Sequence, residues 1–100
     1  MTPSLTETAP GRFRIDGELT FATVTPVWRR SRRLFARASG PIVIDLAGVR
    51  YADSAALSLL VEWLRLARRG NLQLTFTNLP KRLVPMVHAY DLDSILPLHG

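Results

Sequence analysis

The sequence predicts a single α/β domain in which a mixed, mostly parallel sheet of four or five strands carries about three helices. Three observations lead there. Some segments repeat apolar residues every second position and others every third or fourth. The two kinds of segment alternate along the chain, which is the pattern of strands joined by helical crossovers. Finally, 100 residues leave room for one core and no second domain.

Met1 to Gly11 reads as a flexible N-terminal arm, with the folded domain expected over residues 12–100. Its Thr, Ser, Pro and Glu residues lack the basic start and apolar core of a signal or transit peptide. Arg12 to Leu19, R-F-R-I-D-G-E-L, partly alternates through Phe13, Ile15 and Leu19. It predicts a strand turning at Asp16-Gly17, or two short strands. From Phe21 to Ala38, residues Val24, Val27, Trp28, Leu34 and Phe35 recur at helical spacing opposite a row of arginines. Thr25 and Pro26 suit its N-cap and first helical position, and Ser39-Gly40-Pro41 ends it. Ile42 to Leu46, I-V-I-D-L, is a β-branched run expected to be the central strand, buried on both faces. Ala47 to Ala52 reads as a loop. Asp53-Ser54 then opens a second helix that runs to about Arg69 and stops at Gly70-Asn71. Leu72 to Phe76 alternates as a strand, and Asn78-Leu79-Pro80 turns. Lys81 to Tyr90 predicts a short third helix, and Ile95 to Leu98 a tail that packs back.

Composition excludes several chemistries. Hydrophobic residues make up 47% and charged residues 21% of the chain, as in globular proteins, and no apolar run reaches the roughly eighteen residues needed to span a bilayer. There is no cysteine, hence no disulfide, thiolate zinc site or thiol nucleophile. The loops after the strands contain no Gly-rich phosphate cradle and no nucleophile elbow. His88 and His99 have no metal-site spacing to another ligand, and Asp45 is expected to be hydrogen-bonded near a strand end rather than to act as an acid. The expectation is a non-enzymatic, cytoplasmic domain without cofactor or metal. The net charge of +5 comes largely from Arg29, Arg30, Arg32, Arg33 and Arg37. That run suits a solvated face, an acidic protein surface or lipid headgroups; nucleic acid is not expected, because no aromatics interleave it and no recognition motif accompanies it.

The second helix carries the functional information. On a helical wheel Ser58, Glu62, Arg65 and Arg69 share a narrow stripe and nearly everything else is apolar. With Leu60, Leu64 and Ala67 toward the sheet, Leu59, Trp63 and Leu66 form one flank and Leu57 with Val61 the other. Either the neighbouring helices cover both flanks, or at least one meets a partner. Trp28 is open to the same two readings, core or interface anchor. Ser54 has three: helix cap, contact with a partner, or phosphate acceptor beside Asp53. The residues expected at a partner are Ser54, Asp53, Trp28, Ala55, Leu57, Leu59 and Trp63.

The segment Asp45 to Trp63, D-L-A-G-V-R-Y-A-D-S-A-A-L-S-L-L-V-E-W, resembles the signature of STAS domains: a strand, a loop, then Asp-Ser before a Leu-rich helix. Many relatives have a Gly shortly after the Asp, where this chain has Ala55-Ala56. In element order the resemblance runs from Arg12 to Leu98. Gly17 to Leu19 (G-E-L), Pro26 to Trp28 (P-V-W), Ile44 to Leu46 (I-D-L) and the closing Y-D-L and I-L-P are most similar to one branch of that family. Its members are small STAS subunits of phospholipid-transport ABC complexes at the Gram-negative inner membrane. This resemblance implies a STAS-like fold and an accessory subunit on the inner face of that membrane, in a complex that maintains outer-membrane lipid asymmetry. The implied partner is the ABC-transporter ATPase subunit and, through it, the permease and lipid-binding subunits. The alternative in the same family is an anti-sigma-factor antagonist switched by phosphorylation of Ser54.

Overall fold

The computed structural model describes residues 2–99. Its elements follow the chain as β1 (Ser4–Ala9), β2 (Arg12–Leu19), α1 (Val24–Ala36), β3 (Ile42–Ala52), α2 (Ser54–Arg69), β4 (Leu74–Thr77), a 3₁₀ turn (Lys81–Leu83), α3 (Val84–Ala89) and β5 (Leu98–His99). The strands form one five-stranded sheet in consecutive order from β1 to β5. β1 runs antiparallel to β2, and the other neighbours are parallel.

Period-two alternation decides which face of the sheet is covered. Phe13 and Ile15 of β2, Ile42, Ile44 and Leu46 of β3, and Leu74 and Phe76 of β4 are all buried. The intervening residues Arg12, Arg14, Val43, Asp45, Thr75 and Thr77 are half-buried or exposed. Ile42–Leu46 is therefore the central strand, but it is buried on one face, not on both. Helices cover only that buried face, so the domain has two layers.

Four further expectations change. The arm expected over Met1–Gly11 is an edge strand from Ser4 to Ala9, with Met1 outside the described residues. Only Leu5 of that strand is buried, which left almost no pattern to read. A hairpin turn joins it to β2 at Gly11, whose φ of +76° suits glycine; a β-carbon there would strike the carbonyl of Pro41. Residues 47–52 continue β3 instead of looping. Gly48–Ala52 pair with Asp16–Leu19 of β2 through two register shifts whose extra residues lie on β3, so the alternation breaks on β3 while β2 keeps it. Asp16-Gly17 is thus no turn: Gly17, at φ +104°, sits inside the strand against Pro3. Helix α1 starts at Val24 rather than Pro26, because the Thr20 carbonyl accepts the Val24 N–H at 3.0 Å and closes a turn earlier.

The core lies between the sheet and α1 and α2. A row of aromatic rings crosses it: Phe13 to Phe35 at 5.4 Å between centroids, Phe35 to Trp63 at 6.4 Å, and Trp63 to Phe76 at 6.3 Å. These spacings are those of favourable tilted ring pairs.

Candidate partner-docking site

Asp53 organises the end of the sheet from which α2 departs. It is the N-cap of that helix: its Oδ1 accepts the Ala55 N–H at 2.8 Å, satisfying a donor with no partner inside the helix. Its other oxygen, Oδ2, accepts the Phe21 N–H at 3.1 Å, and its own N–H donates to the Leu19 carbonyl at 3.1 Å. One carboxylate therefore ties the start of α2 to the turn before α1. The cap role read for Ser54 belongs to Asp53 because Ser54 is already the first helical residue.

That turn is held at its other side by Thr23. Its hydroxyl accepts the Thr20 N–H at 2.8 Å and donates to the Glu18 carbonyl at 2.8 Å. Phe21 is carried outward on this braced turn with 87% of its surface exposed. Beside it opens a groove of about 410 Å³ between α1 and α2, with Phe21, Val24, Trp28, Ala55 and Leu59 supplying its apolar lining. A second groove of about 470 Å³ lies on the far side of α2, lined by Leu57, Val61, Tyr90 and Leu92. Ser54, Ser58 and Glu62, one turn apart, border both grooves as a ridge. Ser54 is exposed, and its hydroxyl has no hydrogen-bond partner among the described residues. Ser58 donates to the Ser54 carbonyl at 3.4 Å, and Glu62 pairs with Arg65 at 2.9 Å.

The structure brings Ser54, Asp53, Ala55, Trp28, Leu57 and Leu59 to this end of the molecule, in unequal roles. Trp28 is half-buried and forms a groove wall. Leu57 and Leu59 keep only 4% of their surface each, so they floor the two grooves and do not project from them. Trp63 is wholly buried and is not on an open flank. Its indole Nε1–H donates to Ser31 Oγ at 2.7 Å, and the Ser31 hydroxyl donates to the Trp28 carbonyl at 2.7 Å. α1 covers the Leu59–Trp63 flank of α2, and α3 approaches the flank of Leu57 and Val61. The accessible surface is therefore the polar ridge with the walls of its two grooves, not a bare apolar flank.

Two residues escaped the sequence reading. Phe21 lies outside the α1 stripe, and its exposure depends on the Asp53 tie thirty-two positions away. Ser31 did leave a signal: it stands four residues from both Val27 and Phe35, on the buried stripe, amid the arginines.

Elsewhere the polar groups are structural. Asp45 lies on the uncovered sheet face and accepts from Asn78 Nδ2 at 2.8 Å and from the Ala47 N–H at 2.9 Å. These bonds, Asn78 first, hold its carboxyl below the usual range. His88 meets Asp93 at 2.9 Å on the surface. Among the described residues no three His, Cys, Asp or Glu side chains gather as metal ligands, and no helix is long and apolar enough to cross a membrane. A cleft of about 690 Å³ separates β1 from α1; across it Arg30 Nε donates to the Leu5 carbonyl at 2.9 Å.

A search of curated proteins finds no match. Among solved structures, the fold is similar to that of the anti-sigma factor antagonist SpoIIAA in its unphosphorylated form. The TM-score is 0.70 at 14% sequence identity, over 99% of this chain and 88% of that one. The family model described as "Mlab, STAS domain" matches residues 6–97, nearly the whole chain, and on that match the protein belongs to the STAS-domain family.

Proposed function

We propose that this domain is a non-enzymatic accessory subunit that docks through the α2 tip onto the ATPase of an ABC-type phospholipid transporter. The reading rests on one observation: an exposed Ser54 hydroxyl, without a hydrogen-bond partner among the described residues, heads a ridge between two apolar-walled grooves, beside a Phe21 that is 87% exposed. Aromatic anchors around a polar centre are what a protein interface requires, and a large apolar side chain held in water by a braced turn has no role in the fold itself. The "Mlab" branch of the family supports the transporter ATPase as the partner. Through it the domain joins the permease and lipid-binding subunits on the inner face of the membrane.

Docking would act by conformational preference. A subunit that binds one ATPase state better than another shifts the equilibrium by that difference in affinity and by no more. Phe21 and Trp28 fill apolar pockets of the partner, Ser54 hydrogen-bonds at the centre, and Asp53 holds the two halves of the seat in register.

Co-purification with the ATPase tests this. Ser54→Glu places a charge in the contact and Phe21→Ala removes the anchor; each is expected to weaken capture at least tenfold, about 1.4 kcal/mol, while circular dichroism stays that of the parent. Undiminished capture by both variants removes the α2 tip from the interface.

A second reading is favoured by the exposure of the same hydroxyl. At the first turn of a helix, Ser54 is accessible to a kinase, and a phosphate there would add charge beside Asp53 and repel a partner, as in an anti-sigma-factor antagonist. Phosphate on Ser54 in the native protein, found by mass spectrometry together with a kinase partner, selects this reading over the first.

A further inference from the structure

Between Glu18 and Asp45 the chain contains five arginines and no acidic residue. One of the five has a role in the fold, since Arg30 bonds the Leu5 carbonyl at 2.9 Å. The other four, Arg29, Arg32, Arg33 and Arg37, are exposed and form no ion pair or side-chain hydrogen bond among the described residues. Arg29, Arg33 and Arg37 follow each other at four-residue intervals and so lie in one row, with Arg32 alongside. α1 and α2 are neighbours, and each leaves the C-terminal end of one strand and returns to the N-terminal start of the next. They therefore run in the same direction, which puts Arg68 and Arg69, also exposed and without an ion pair among the described residues, at the same end of the molecule as Arg33 and Arg37.

This face has charge without an apolar centre. A shallow depression on it is lined by Arg29, Arg32, Arg33 and Ala36, and the exposed large hydrophobics, among them Phe21, Tyr51 and Tyr90, lie on other segments. Protein interfaces concentrate aromatic and aliphatic side chains at their cores, and none is present here. A plane of anionic headgroups asks only for cations spread over a convex surface. The docking groove uses Val24, Thr25 and Trp28 at the first turns of α1, whereas the arginine row continues to the end of a helix roughly 20 Å long.

We propose that the arginine face of α1, joined by Arg68 and Arg69, binds the anionic headgroup surface of a phospholipid bilayer. It does so as a reversible electrostatic contact without insertion, and it does not depend on the docking reading of the α2 tip.

Co-sedimentation of the full chain with vesicles tests it. Phosphatidylcholine vesicles containing about 30% phosphatidylglycerol should bind the protein and pure phosphatidylcholine should not. Raising salt from about 0.05 M to about 0.5 M should release it. Each arginine lost from such a surface weakens binding about fivefold, so the triple variant Arg29→Gln/Arg33→Gln/Arg37→Gln should bind on the order of a hundredfold more weakly. The corresponding triple lysine variant should retain binding, and Arg50→Gln, on β3, should change it by less than about twofold. Equal binding to neutral vesicles, or an unweakened triple glutamine variant with unchanged circular dichroism, overturns the proposal. Half-saturation of random duplex DNA at a lower phosphate concentration than anionic lipid also overturns it, assigning the face to nucleic acid.

Discussion

Three serines within one small domain have different fates, decided by where each hydroxyl points. Ser31 is fully buried between two tryptophans, accepting from the Trp63 indole and donating to the Trp28 carbonyl. Ser31→Ala leaves a buried indole N–H without an acceptor, and should cost about 1–3 kcal/mol in a denaturant titration. Ser54 and Ser58 are exposed on the ridge. Ser54→Ala should move stability by less than about 0.5 kcal/mol and register only in partner capture. A hydroxyl that matters to folding and one available for recognition are thus separable by measurement. The sequence distinguished them incompletely: Ser54 stood out because it follows Asp53 at a helix start, while Ser31 was hidden among arginines despite its place on the buried stripe.

At the scale of elements, the Asp53 carboxylate is the joint on which the candidate site turns. Asp53→Ala removes its bonds to both Ala55 and Phe21, and should destabilise the domain by about 1–2 kcal/mol, the usual loss for a helix cap. It should also speed hydrogen exchange at the Phe21 amide, thirty-two positions earlier in the chain. An unchanged exchange rate at Phe21 would mean that the tie does not hold the turn. The helices and the core of the sheet were legible because apolar periodicity marks the stripe of α1 and the β-branched run marks Ile42–Leu46 as a strand, although that run hid the one-sided burial of the strand. The second half of β3 was not. Gly48, Arg50 and Tyr51 violate alternation there because the strand pairs through irregular register with β2. The wheel of α2 correctly placed Leu60, Leu64 and Ala67 in the core, yet periodicity within a helix does not reveal how many neighbours surround it. Trp63 therefore read as a flank residue, although the structure seals it beneath α1.

Across the whole molecule, charge is unevenly distributed: arginines crowd α1 and the end of α2, while Asp45 sits on the uncovered face of the sheet. Because hydrogen bonds from Asn78 and Ala47 lower the Asp45 pKa on folding, its contribution to stability is present in full above the unfolded value near 4 and is lost as pH falls through the folded value. Wild type should consequently exceed Asn78→Ala in stability at neutral pH, and the gap should narrow below about pH 4 in acid titrations followed by fluorescence. A gap that stays constant through that range would separate Asn78 from the Asp45 carboxylate. The sheet's strand order has a consequence for biosynthesis. Since each strand lies next to the one preceding it in the chain, a polypeptide emerging from the ribosome always finds its next pairing edge already made. Assembly can proceed from one margin to the other like courses of brick, with no segment waiting for a neighbour still to be translated.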